Sequence, residues 1–156
     1  LSWYPGLSSR IPKKPLSSVD LTALIPFDLT TAEESRLEHG IALFNSGKFW
    51  EAHEAWEEIW KNHPEDGRFF IQGLIQLAAA YHQLGRKLYR GVVIHLKQAQ
   101  DRLKLFPSDF LGIVVPPILQ VIDDSLAAIE GRPSLGEVEW ATLKIARIDR
   151  RALSPP

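Results

Sequence analysis

His53 and Glu57 stand one helical turn apart in the stretch Phe-Trp-Glu-Ala-His-Glu-Ala-Trp-Glu-Glu-Ile-Trp, and Gln72, Gln76 and His82 follow in a strongly apolar run. Side chains at i and i+4 share a helix face. An imidazole and a carboxylate so placed can grip one cation or exchange a proton, and a histidine from a neighbouring helix can complete the set. His53, Glu57 and His82 are therefore the candidate metal or acid/base groups. Gln72 and Gln76 would orient them or a substrate, and Trp50, Trp56 and Trp60 are the supporting aromatics. The competing reading is structural: a buried hydrogen-bonded network tying three helices in register, or a Glu57 carboxylate that simply faces Lys61. His82 lies well round its helix from the strip of Gln72, Gln76 and Gln83, which counts against all three ligands meeting. An unsatisfied buried amide costs about 1 to 3 kcal/mol, so Gln72 and Gln76 need partners, and His53 and Glu57 are the nearest polar side chains expected for them.

The order His53-Glu54-Ala55-Trp56-Glu57 invites comparison with the His-Glu-x-x-His motif of zinc proteases. Glu57 stands where the second histidine belongs, so that ligand pair is lost. His39, His63 and His95 read as exposed or core-edge residues. The glutamates Glu51, Glu54 and Glu58 read as a solvated face. No glycine-rich phosphate loop occurs, and no serine has the strand-turn-helix setting of a nucleophile.

These groups must be held by helices. Thr-Ala-Glu-Glu predicts a first helix starting at Thr31, with Glu34 closing a capping box, Leu37, Ile41 and Phe44 on its inner face, and Gly47 as its stop. A tight Asn-Ser-Gly link leads to a second helix from Lys48 to about Asn62, with Phe49, Ala52, Trp56, Ile59 and Trp60 on one arc. The third, from about Asp66 to Leu84 and capped by Asp66, is apolar around most of its circumference and is read as the central buried helix. The fourth spans about Lys87 to Phe106, and Pro116-Pro117 open a fifth that reaches about Glu130. Residues 1–30 form an irregular, proline-rich arm expected to wrap the domain in part through Trp3, Tyr4, Leu21, Leu24, Ile25 and Phe27. The bundle is assigned to 31–131. Residues 132–156 alternate around Val138 and Trp140 and read as an extended tail packed on it.

A chain of 156 residues, 45% hydrophobic and 24% charged, suits one folded domain. A formal net charge of -1 gives no field suited to nucleic acid. Cysteine is absent, which removes disulfides and thiolate sites and makes a cytoplasmic setting the expectation. No apolar run reaches a membrane span's length and no signal-peptide layout is evident. Methionine is absent even at position 1, so the start is expected to be processed or trimmed.

Gly40, Gly47, Phe49, Ala52, Trp56 and Pro64 are spaced as in one tetratricopeptide unit, but about 34 residues on Leu74 and Gln98 replace the glycine and proline that should recur. A more specific pattern joins Phe44-Asn45-x-Gly47-x-Phe49-x-Glu51-Ala52-His53-Glu54-x-x-Glu57-x-x-Trp60 to Gln72-Gly73-Leu74-Ile75-Gln76, His82 and Gly91. It resembles the family of small helical proteins known as domain of unknown function 309, over about residues 33 to 105. That resemblance implies an all-α bundle and no assigned activity. The expectation is an all-α single bundle of about five helices, acting as a non-enzymatic interaction or scaffold module with a buried His-Glu-Gln cluster. The alternative is a metal-dependent or acid/base enzyme acting on a small molecule through His53 and Glu57. No cofactor is predicted outside that alternative, which would use a divalent metal. A protein partner, a homodimer or a small-molecule ligand fits the first reading; nucleic acid and membrane fit neither.

Overall fold

A computed structural model describes residues 26–132 and 135–151. Among them are six helices and one antiparallel two-stranded hairpin: α1 Thr31–Asn45, α2 Phe49–Trp60, α3 Arg68–Gly85, α4 Tyr89–Leu103, β1 Asp109–Phe110, β2 Ile113–Val114, α5 Pro116–Ile129 and α6 Glu137–Thr142. The mostly helical class is as expected. Of the N-terminal arm, Trp3, Tyr4, Leu21, Leu24 and Ile25 lie outside the described residues. Phe27 is buried, with its ring 4.5 Å from that of His63.

Burial organises the bundle around α3. From Phe69 to Tyr81 every residue of this helix is buried except Gln72, because α2 covers one side and α4 the other. Leu37, Ile41 and Phe44 of α1 join Ala52, Trp56 and Ile59 of α2 in the same core. The α1–α2 crossing is tight: a Cβ added at Gly40 would lie 2.2 Å from Trp56 Nε1, whose N–H donates to the Leu37 carbonyl at 3.4 Å.

The capping box closes one residue earlier than the sequence suggests. Thr30 Oγ1 accepts from the Glu33 amide at 3.1 Å and Glu33 Oε1 accepts from the Thr30 amide at 3.0 Å. Adjacent threonines make both registers available, and Glu34 is instead engaged by Arg150. Asp66 does not cap α3; the amides of Arg68, Phe69 and Phe70 are bound by the carbonyls of Glu65, Asp66 and Gly67.

The two helical hairpins, α1–α2 and α3–α4, are joined by the same turn. Ser46 (φ -94°, ψ 2°) and Arg86 (φ -93°, ψ 0°) end the first helices, and Lys48 and Leu88 begin the second with φ of -92° and -96°. Between them Gly47 and Lys87 both have positive φ, 84° and 56°. The amides of Lys48 and Leu88 each donate five residues back, to Leu43 and Gln83. Buried Leu37, Ile41, Ala52, Trp56 and Ile59 have counterparts forty positions on in Leu77, Tyr81, Val92, Leu96 and Ala99, all buried. The repeat is structural, with a period other than the tetratricopeptide one. Gly85 is only the last helical residue of α3; the left-handed position falls on Lys87.

Beyond α4, Phe106 and Phe110 close on Phe70, with ring centroids 4.7 to 5.3 Å apart. The tail departs from the extended reading at α6, where the Glu139 carboxylate accepts from the Gly136 amide and fixes a short helix. From Leu143 the chain is extended and crosses the bundle. The Ala146 amide donates to Tyr81 Oη at 3.0 Å, and the Asn45 amide group makes two bonds with the Ile148 backbone, at 2.8 and 3.0 Å. Arg150 bridges to Ile113, and its Nη1 is 2.7 Å from both Glu34 and Glu38.

Two substitutions test this geometry by chemical denaturation. Gly40→Ala is expected to lose about 1 to 3 kcal/mol, because the indole of Trp56 has no room to retreat. Lys87→Gly is expected to gain roughly 0.5 to 1 kcal/mol by relieving its left-handed backbone, whereas Gly47→Ala, at the equivalent place with open space around it, is expected to lose a similar amount.

Candidate functional site

His53 lies on the side of α2 that turns toward the core and is 3% exposed. Its Nε2 is 3.4 Å from Glu57 Oε2, one turn along the helix. Burial drives the His53 pKa down to about 4, and positive charge on His82 or His95 would lower it further. The ring is thus neutral near pH 7. Burial also raises the Glu57 carboxyl, an effect opposed by Lys61 and reinforced by Glu58 and Glu54. Both groups are pushed toward their uncharged forms. The Lys61 ammonium itself sits on Glu58, at 2.8 Å, rather than on Glu57.

The glutamines turn the other way. Gln76 Oε1 is 2.7 Å from His95 Nδ1, and Gln72 Oε1 accepts from Arg102 Nε at 3.0 Å. Their partners are on α4, not the His53–Glu57 pair that the sequence suggests. His95, expected at the edge, is buried, with its pKa lowered by burial to about 4. The bond to a glutamine oxygen places a proton on its Nδ1. The signal was present in the sequence, since His95 falls between Val92, Leu96 and Ala99 on the inner stripe of α4. His63 is half-buried at the core edge. It lies between two carboxylates, with Nε2 2.9 Å from Glu33 and Nδ1 3.3 Å from Glu65. Burial would raise the Glu33 pKa, but hydrogen bonds from the Thr30 amide and His63 bring it below the ordinary value.

The three tryptophans separate by role. Trp56 is fully buried, and Trp60 is buried beneath the Arg68 guanidinium, 4.7 Å from its ring centre. Trp50 is 37% exposed and packs against both His53 and His82, at ring separations of 4.8 and 5.3 Å. The link from His53 to His82 therefore runs through an indole. Among the described residues, no three His, Asp or Glu side chains are grouped so as to hold a metal ion.

Trp50 and His82 border an open groove of about 420 Å³ at the turn end of the bundle. Phe49 and Leu84 contribute apolar wall, Ile145 of the tail closes one side, and Lys48 and Arg86 project from the two matching turns. Neither His53 nor Glu57 lines it.

Residues 37–95 match the family model described as Domain of unknown function (DUF309). This segment belongs to the DUF309 family. It runs from within α1 to the middle of α4, so the DUF309 match takes in both turns of the repeat, His53, Glu57, both glutamines, His82 and His95. No curated protein matches the chain. The DUF309 segment thus holds His53, Gln76 and His95 and most of the groove, while Ile145 is supplied from outside it.

The buried imidazoles set a pH dependence. Folding lowers the pKa of His53 and His95 from about 6.5 to about 4, so between these values the unfolded chain binds more protons and acid favours unfolding. Their full contribution is present above about pH 6.5 and is lost as pH falls toward 4, at up to about 3 kcal/mol for each ring. Glu57, with its pKa raised, offsets part of the loss. Urea midpoints measured from pH 7.5 to 4.5 are expected to fall steadily, and His95→Gln is expected to flatten that slope.

Proposed function

We propose that the chain is a non-enzymatic interaction module that engages a partner in the groove between its two repeated turns. The observation that carries this reading is a separation: the groove is bordered by Trp50, Leu84 and Ile145, and its lining does not reach His53 or Glu57. A catalytic pair needs contact with substrate, ordinarily within a solvent-connected cavity. An interaction site needs accessible apolar surface, which Trp50 at 37% and Ile145 at 50% exposure supply. The neutral, buried His53 and the Gln76–His95 bond fit a role in holding α2, α3 and α4 in register.

One observation favours the alternative of an acid/base or metal-dependent enzyme. His53 and Glu57 are 3.4 Å apart and both perturbed, as catalytic groups often are. Divalent metal on His53, Glu57 and His82 belongs to that alternative.

Two measurements on untagged protein separate them. Elemental analysis after adding zinc, manganese and iron is expected to find no stoichiometric metal; a metal lost in both His53→Ala and Glu57→Gln overturns the interaction reading. Titration with indole, followed by amide nuclear magnetic resonance, is expected to shift residues 47–51 and 84–86. Shifts centred on Glu57 instead would favour a pocket of the enzymatic kind.

A further inference from the structure

The groove has a chemistry more selective than its apolar floor alone. Lys48 and Arg86 line it from the two equivalent turns, and Lys144 immediately precedes Ile145 in the tail. All three are exposed, and among the described residues none of them is in a salt bridge. Several cations elsewhere are paired, among them Lys61 with Glu58, Lys97 with Glu130, Arg132 with Glu139, and Arg150 with Glu34 and Glu38. Glu51 is the lining carboxylate. His82 adds little positive charge near neutral pH, because burial and the nearby Arg86 lower its pKa, with Glu51 only partly opposing them.

We propose that this groove is the docking site for an acidic protein segment that inserts an aliphatic or aromatic side chain between Trp50 and Ile145 and sets its carboxylates against Lys48 and Arg86. The inference rests on the interaction reading above and specifies the partner's chemistry. Charge complementarity chooses the occupant. An apolar anchor is buried on the floor while the lining cations Lys48 and Arg86, from two chain segments, face flanking carboxylates, which favours association and rejects basic partners. Nucleic acid is a poorer fit, since the chain's formal net charge is -1 and the floor is aliphatic and aromatic rather than a basic track.

The test uses the full chain and two fluorescein-labelled peptides that share a central Leu-Phe anchor, one flanked by Asp and Glu and its twin by Lys, with binding read by fluorescence anisotropy. The acidic peptide is expected to bind at least about tenfold more tightly than its twin, to weaken with added salt, and to lose that preference in the double variant Lys48→Glu, Arg86→Glu. Ile145→Asp is expected to abolish binding; Ile145 is half exposed, so the fold should tolerate the change, as circular dichroism would verify. Equal binding of both peptides, lost in Ile145→Asp, would overturn the acidic partner and leave the groove as an interaction site. Binding of neither peptide, or binding indifferent to Ile145→Asp, would overturn both. Charge-sensitive binding to phosphatidylserine vesicles in preference to either peptide would replace the acidic segment with a membrane surface.

Discussion

Covering α3 on nearly every side is the constraint from which the other features follow. A helix this apolar has no face to offer water, so α2 and α4 must both pack against it. Packing at that density leaves polar side chains on α3 dependent on partners from α4 and the tail. Gln76 meets His95, Gln72 meets Arg102, and Tyr81 Oη takes the Ala146 amide. Burial also pushes the Tyr81 hydroxyl up to about 12, so it stays neutral and remains an acceptor for the tail. The same exclusion of water makes His53 a neutral imidazole and raises the carboxyl of Glu57 beside it.

The repeated turn gives the bundle its grooved end. Gly47 and Lys87 bend the chain in the same way, and Lys48, just after the first left-handed position, and Arg86, just before the second, both line the groove between the turns, with Ile145 of the tail at its side. The turns differ in how well their residues suit them. Glycine adopts the left-handed backbone without steric cost, whereas lysine is held there at a cost of about 1 to 2 kcal/mol by the surrounding contacts.

Most of the helical framework was legible in the sequence because it is written in periodicity and punctuation. Leu37, Ile41 and Phe44 at helical spacing, the Asn-Ser-Gly link and Pro116-Pro117 place elements to within a residue or two. What was not legible has particular causes. An all-round apolar helix carries no rotational phase, so nothing in α3 alone says whether Gln72 and Gln76 face α2 or α4; the histidine inside the α4 stripe was the available clue. The hairpin Asp109–Val114 is too short for alternation to register, and its turn uses positive φ at Leu111 as well as Gly112. Apolar residues at Val138 and Trp140 fit a strand as readily as a six-residue helix, and Glu139 bound to the Gly136 amide decides for the helix. Of the candidate site, the one-turn spacing of His53 and Glu57 was readable. The groove was not, since it joins residues from α2, α3 and the tail.

The fastening of the tail bears on the order in which the chain acquires structure. Helical hairpins form from neighbours a few residues apart, but Arg150 and Glu34 are separated by 116 positions. Closing a flexible loop of that size costs about 4 kcal/mol in chain entropy beyond a constant, more than a surface ion pair returns. The clasp therefore cannot nucleate folding. It can form only on a bundle that has already brought Glu34, Glu38 and Asn45 to one side, and from then on α1 cannot fray at its start without also releasing Arg150. The two ends of the described chain are thereby joined in one cooperative unit, although the contacts that join them belong to neither helical hairpin alone.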